Sequence, residues 1–155
     1  MTNQDYRFCT EFAYEAKVIL DPVQVATEKT PHGGRNVVRI KGGTFKGPAI
    51  EGEVLEGGAD WQLIRPDGVR ELEARYMMRT NDGVAIHVLN RVLSRPDPAS
   101  SDPFSPGYYR RCVLSFEAPM DSRYAWLNTH VFLGTLSPAM TEKESAVIIR
   151  VWKLL

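Results

Sequence analysis

The sequence is poor in residues that hold metals through nitrogen or sulfur. It has three histidines and two cysteines in 155 residues. His32, His87 and His130 are far apart, and none stands in an HxH spacing. Cys9 and Cys112 have no CxxC neighbour, which argues against a thiolate zinc site. Each lies in an expected strand, so a disulfide requires those strands to be neighbours; in a reducing compartment the pair reads as two buried thiols. There is no excess charge of either sign, with 19 basic and 19 acidic residues. A nucleic-acid or anionic-membrane surface needs a basic excess, so those partners are not expected. No apolar run is long enough to cross a bilayer as a helix. The opening MTNQDYRF is polar and lacks the apolar core of an export signal, so a cytoplasmic protein is expected. No GxSxG or comparable nucleophile signature occurs. The stretch GGTFKG at 42–47 lacks the GxGxxG order, and Pro48 stands where a helix would have to begin, so it is not a nucleotide loop.

What the sequence has instead is alternation punctuated by turns. Pro66-Asp67-Gly68 and Asn81-Asp82-Gly83 divide residues 60–93 into three runs rich in Leu, Ile, Val and Tyr. Gly at the last loop position supplies the positive φ of a three-residue hairpin with a bulge. The result is an antiparallel meander. Loops of that length set Arg65 opposite Val69 and Thr80 opposite Val84. Register then sorts the side chains. One face collects Asp60, Gln62, Ile64, Leu72, Ala74, Tyr76, Met78, Ile86, Val88, Asn90 and Val92, with Arg70 near the turn. The other collects Trp61, Leu63, Glu71, Glu73, Arg75, Met77, Arg79, His87, Leu89 and Arg91. The first is mainly apolar and is expected inside.

The rest of the chain reads the same way. Residues 7–20 alternate, with Phe8, Phe12, Tyr14, Ala16, Val18 and Leu20 on one face. Residues 23–33 read as a turn region and 35–41 as a strand, and Gly42-Gly43 bends the chain. Residues 50–56 form a short strand. Residues 94–107, rich in Pro, Ser and Asp, form a long loop, either a flexible connection or a lid over one barrel mouth. Strands follow at 108–117, 129–136 and 146–154, with a loop at 118–128. About nine strands and no helix in one domain, 1–155, must close or fold into two layers. A single, mostly antiparallel closed β-barrel with long loops is expected, with a β-sandwich as the alternative.

The blocks GGTFKGP, GGADWQLIRPDG, LEARYMMRTNDG, the Asn90-Arg91 pair and RYAWLN resemble, in order, those of the bacterial family known as domain of unknown function 3237. The match runs from the first strand to the last. Family members often carry Asp where this chain has Glu73, which keeps the charge. The resemblance implies a small β-barrel similar in outline to allene oxide cyclase and dirigent proteins. Those barrels guide cyclisation or coupling of hydrophobic substrates without a bound cofactor; fold alone does not carry function across.

The candidate site follows from the polar members of the inward face. Asp60, Tyr76 and Asn90 are the expected catalytic groups. Burial would raise the proton affinity of Asp60 and fit it for acid–base work, while Tyr76 and Asn90 could donate to a carbonyl or enolate oxygen. Gln62, Met78, Ile86, Val88, Trp126 and Asn128 are the expected substrate contacts. No cofactor and no metal is expected. The same inward groups could instead form a satisfied core network. Three functions follow. One is a cofactor-independent isomerase, cyclase or hydratase-lyase acting on a small hydrophobic carbonyl or aromatic compound. Another is a lipocalin-like binding protein for a small hydrophobic molecule. The third is a structural or interaction protein. Trp61, Leu63, Met77 and Leu89 on the outward face suggest a homodimer or higher homo-oligomer. If inside and outside were exchanged, Glu73, Arg75 and His87 would form the site instead.

Overall fold

Two hairpins of the expected kind anchor the architecture in the computed structural model, which describes residues 7–155. In the first, the Arg65 amide donates to the Val69 carbonyl at 2.9 Å and Gly68 sits at φ 84°. In the second, the Thr80 amide donates to Val84 at 3.0 Å and Gly83 sits at φ 88°. These turns join β5 (Ala59–Ile64), β6 (Arg70–Thr80) and β7 (Ala85–Pro96). Asp60 pairs with Ala74 and Ala74 with Asn90, so the register is the one the loop lengths dictate.

The remaining strands are β1 (Thr10–Leu20), β2 (Val25–Thr30), β3 (Gly33–Lys46), β4 (Glu51–Val54), β8 (Tyr108–Glu117), β9 (Phe132–Pro138) and β10 (Ser145–Leu154). All pairings are antiparallel, and β1 closes the circle by pairing with both β10 and β3. The barrel has eight staves, because β4 and β5 together span the gap between β3 and β6, and β2 lies outside as a flap on β3. Closure leaves the barrel wall no free edge and makes a sandwich the wrong description.

Several expectations need correction, each for a local reason. Residues 25–30 form a strand rather than a turn region; β2 is exposed along nearly its whole length, so no apolar alternation marks it. β3 runs straight through Gly42 and Gly43, at φ 140° and 145°, instead of stopping before them. There the strand bulges and changes partner, from β5 before the pair to β4 after it. In β1 the register slips between Phe12 and Tyr14, which buries Ala13 and turns Phe12 outward against Trp152, at 5.8 Å between rings. β7 extends to Pro96, the last residue of its pairing with β8, where a missing N–H does no harm. The loop at 97–107 is pinned by Ser105, which is buried, and by Phe104 beneath Arg150 at 4.0 Å. Cys9 is exposed just ahead of β1 and Cys112 is buried in β8; both are free thiols.

The lumen has two unlike halves. In one, Tyr14, Phe45, Phe116 and Phe132 meet edge to face with centroids 4.9–6.1 Å apart. A single 3-10 turn, Ala125–Thr129, closes that end, with Leu127 buried as its stopper. The Tyr124 hydroxyl donates to Asp82 at 2.7 Å and ties this plug to the β6–β7 hairpin. The other half is looser and polar. Among the described residues no helix is long and apolar enough to cross a membrane.

Candidate functional site

The polar half is assembled by β5, β6 and β7. Asp60 and Asn90 flank Ala74 in one tier, and the small Ala74 side chain leaves space between carboxylate and amide. Tyr76 follows two residues on, on the same face. A cavity of about 80 Å³ opens among them, with Asp60, Gln62, Tyr76 and Asn90 as its polar lining and aliphatic groups from β1, β3, β6, β7, β9 and β10 as the rest.

Asp60 has one well-formed side-chain hydrogen bond. Its Oδ2 accepts from Gln62 Nε2 at 2.7 Å, whereas its Oδ1 is buried with no partner. Gln62 Oε1 in turn accepts from Asn36 Nδ2 at 3.3 Å, and the same Nδ2 donates to Gln24 Oε1 at 2.6 Å. This amide chain runs from the exposed Gln24 to the carboxylate and fixes its orientation. Burial pushes the Asp60 carboxyl up to about 6, only partly offset by hydrogen bonds from Gln62 and the Glu73 backbone.

The other polar groups around Asp60 are only partly satisfied; the Tyr14 and Tyr76 hydroxyls adjoin each other. The hydroxyls of Tyr14 and Tyr76 and the Oδ1 of Asn90 are buried and without a well-formed hydrogen bond. An orphan of this kind costs about 1–3 kcal/mol unless water or a ligand completes it. Burial raises both tyrosines, so each keeps its proton and can donate. The unpartnered atom of Asn90 is its carbonyl oxygen, an acceptor, while its amide faces the Cys112 thiol. Cys112 is pushed up to about 12 by burial and stays a thiol.

The other expected contacts lie elsewhere. Met78, Ile86 and Val88 are fully buried in the core and do not line this cavity. Trp126 packs on Phe132 at 5.9 Å, at the plugged end. Asn128 clamps a loop: its Oδ1 accepts from the Ala118 amide at 2.7 Å and its Nδ2 donates to the Ala118 carbonyl at 2.9 Å. Glu73, Arg75 and His87 are on the outer surface. Glu73 accepts from Arg75 and Arg91, which hold it below the usual carboxylate range, and His87 lies 3.1 Å from Glu117. A wider hollow of about 590 Å³ lies on that outer face, beside Trp61, Leu63 and Tyr109. Its charges are largely paired with one another or with neighbours, and none of the buried orphan groups faces it. Among the described residues no three His, Cys, Asp or Glu side chains converge on a metal position.

The central meander already carried Asp60, Gln62, Tyr76 and Asn90. Sequence reasoning missed Tyr14 as a polar group, the Gln24–Asn36 extension and the aliphatic wall from β1 and β10, all brought in by long-range pairing with no local signal.

The chain has relatives in both sequence and structure. A UPF0311 protein of Clostridium acetobutylicum is 37% identical over 108 residues, 65% of this chain and 68% of its own. One from Bradyrhizobium diazoefficiens is 34% identical over 134 residues, 81% of this chain and 86% of its own. The crystal structure of a conserved protein of unknown function from Rhodopseudomonas palustris superposes with a TM-score of 0.82 at 30% identity, over 96% of this chain and 99% of that one. That of an enzyme from Penicillium herquei superposes over both whole chains with a TM-score of 0.72 at 20% identity, a likeness of fold. The profile of the family described as protein of unknown function (DUF3237) matches residues 8–154, and the chain belongs to that family.

Proposed function

We propose that the barrel is a cofactor-independent acid–base enzyme that moves a proton next to the carbonyl of a small organic molecule, with Asp60 as the acid–base group. The observation that carries this reading is the free, buried Oδ1 of Asp60, on a carboxyl raised to about 6, beside the unpartnered Tyr76 hydroxyl in one cavity. A carboxyl poised near neutrality can both take and return a proton. Oδ1 removes a proton from the carbon next to the carbonyl. The electron pair moves onto the carbonyl oxygen, where the Tyr76 hydroxyl donates a hydrogen bond. The same carboxylic acid then returns the proton to a different carbon, which is an isomerisation, or assists loss or addition of a group there. Gln62 holds the carboxylate, and Asn90 Oδ1 accepts from a substrate hydroxyl or a water.

The space at Asp60 itself takes only part of a ligand. Pockets that enclose a whole drug-sized ligand run to roughly 300–1,000 Å³. About 80 Å³ admits only the reacting end of a molecule.

The test is proton exchange. Small ketones and unsaturated carbonyl compounds are incubated in deuterated buffer and followed by proton NMR. The protein is expected to catalyse exchange beside the carbonyl, and Asp60→Asn to abolish it while the melting curve stays cooperative. Absence of exchange with every compound, together with an Asp60 carboxyl that titrates at the ordinary carboxylate value by carbon-13 NMR, overturns the proposal.

A further inference from the structure

Above the Asp60 cavity the barrel has a cationic rim. Arg70 on β6 pairs with Ser94 on β7, and Ser94 with Arg110 on β8, so the three form one tier. Alternate residues of a strand share a face, which puts this tier on the lumen side with Leu72, Val92 and Cys112 directly below it. Together with Tyr108, the tier lines a hollow of about 260 Å³. That hollow shares Leu72, Val92 and Leu136 with the Asp60 cavity. Four residues separate the rim tier from the Ala74–Asn90 tier, which is about 13 Å along the strand.

The two rim arginines differ from most others in the chain. Arg65, Arg75, Arg91 and Arg111 each have a carboxylate within 3.2 Å. Among the described residues neither Arg70 nor Arg110 has any. Arg110 is positioned instead by neutral groups: its Nη1 donates to Ser105 Oγ at 2.6 Å, and its guanidinium lies over the Tyr108 ring at 4.0 Å. Ser94, nearly buried, stands between the two. Burial and the nearby Arg70 charge both lower the proton affinity of Arg110. Two like charges thus face one half-enclosed hollow with no counter-ion, an arrangement that an anion relieves. A guanidinium fork matches a carboxylate in bidentate geometry.

We infer that the Arg70–Ser94–Arg110 rim anchors the carboxylate of an elongated organic acid whose far end descends to Asp60. This rests on the acid–base reading of the cavity for what happens at that far end, and it replaces a purely hydrophobic partner with an amphipathic one. The rim selects by charge, and the aliphatic walls at Leu72, Val92 and Leu136 select for an apolar middle.

The test separates anchoring from chemistry. The probes are hexanoate, 1-hexanol and inorganic phosphate, titrated into protein with nitrogen-15-labelled arginine side chains, with binding constants taken from the NMR shifts. Hexanoate is expected to saturate the signals of Arg70 and Arg110, with 1-hexanol binding about tenfold more weakly or worse. Arg70→Gln and Arg110→Gln should each weaken hexanoate about tenfold and leave 1-hexanol unchanged. Arg70→Lys should recover part of the loss. Asp60→Asn should leave hexanoate binding intact, so failure of the proton-exchange experiment with hexanoate still bound would remove the chemistry and keep the anchor. Equal binding of acid and alcohol, retention of the preference in the correctly folded glutamine variants, or no saturation at tens of millimolar hexanoate overturns the anchor. Phosphate shifting both arginines as strongly as hexanoate overturns the assignment to a carboxylate tail.

Discussion

At the scale of single residues, Asp60 carries a cost that can be read through pH. Its carboxyl sits near 6 in the folded chain, above its ordinary value of 3.8, so the folded state holds this proton more tightly than the unfolded state. Stability from this group is therefore full below about pH 4 and is lost as pH rises through about 6, by up to roughly 3 kcal/mol. Asp60→Asn removes the titration. Its melting temperature relative to the unsubstituted protein is expected to climb across that window and level off above it. A difference that stays flat from acid to neutral pH would mean that the carboxyl is not held up by burial. Asp60, Gln62, Tyr76 and Asn90 could be placed together from sequence because two three-residue loops count out the register between them. Arg110 could not, because residues 97–107 set no register between β7 and β8. Asn128, expected as a substrate contact, has two bonds to Ala118 that give it a local task, and no sequence pattern announces that pairing across ten residues.

Among the elements, the stave shared by β4 and β5 shapes the site. β3 pairs with β4 through residues 43–46 and with β5 through 34–39, and between the two the chain is stitched by single bonds such as Ile40 to Gly58 at 2.8 Å. Gly43 makes the switch feasible. Its backbone is in the left-handed region, and a Cβ there would run into the Lys17 carbonyl oxygen across the β1–β3 pairing. Gly43→Ala is expected to lose about 2 kcal/mol or more, while Gly68→Ala, equally left-handed but with open space around it, loses only about 1 kcal/mol. Urea melts of the two variants check this, and equal losses would remove the close approach as the reason. The strand that sequence reading missed is the one lacking a buried face, the flap β2; β1 was found, but the bulge at Ala13 shifts its phase midway. Alternation reports burial rather than strand geometry, so a strand exposed on both sides leaves no trace in it.

For the whole molecule, the outer wall bears on assembly. Trp61 and Val113 are more than half exposed, at 58% and 56%, beside the 590 Å³ hollow where Leu63 and Leu93 also surface. A two-fold contact across this wall is the expected assembly, so light scattering should return about twice 17.5 kDa, and Trp61→Glu should return the single-chain mass. A single-chain mass for the unsubstituted protein at tens of micromolar would count against it. Inside, one end of the tube is stoppered by Leu127 and the aromatic rings beneath it, and the other opens at the arginine rim. The barrel is therefore a blind alley. Whatever walks in must back out through the same doorway, and the next visitor waits until the last has left. Under the proposed function a spent molecule and a fresh one contend for a single threshold, so turnover should slow as the spent one accumulates, and more of the fresh one should restore it.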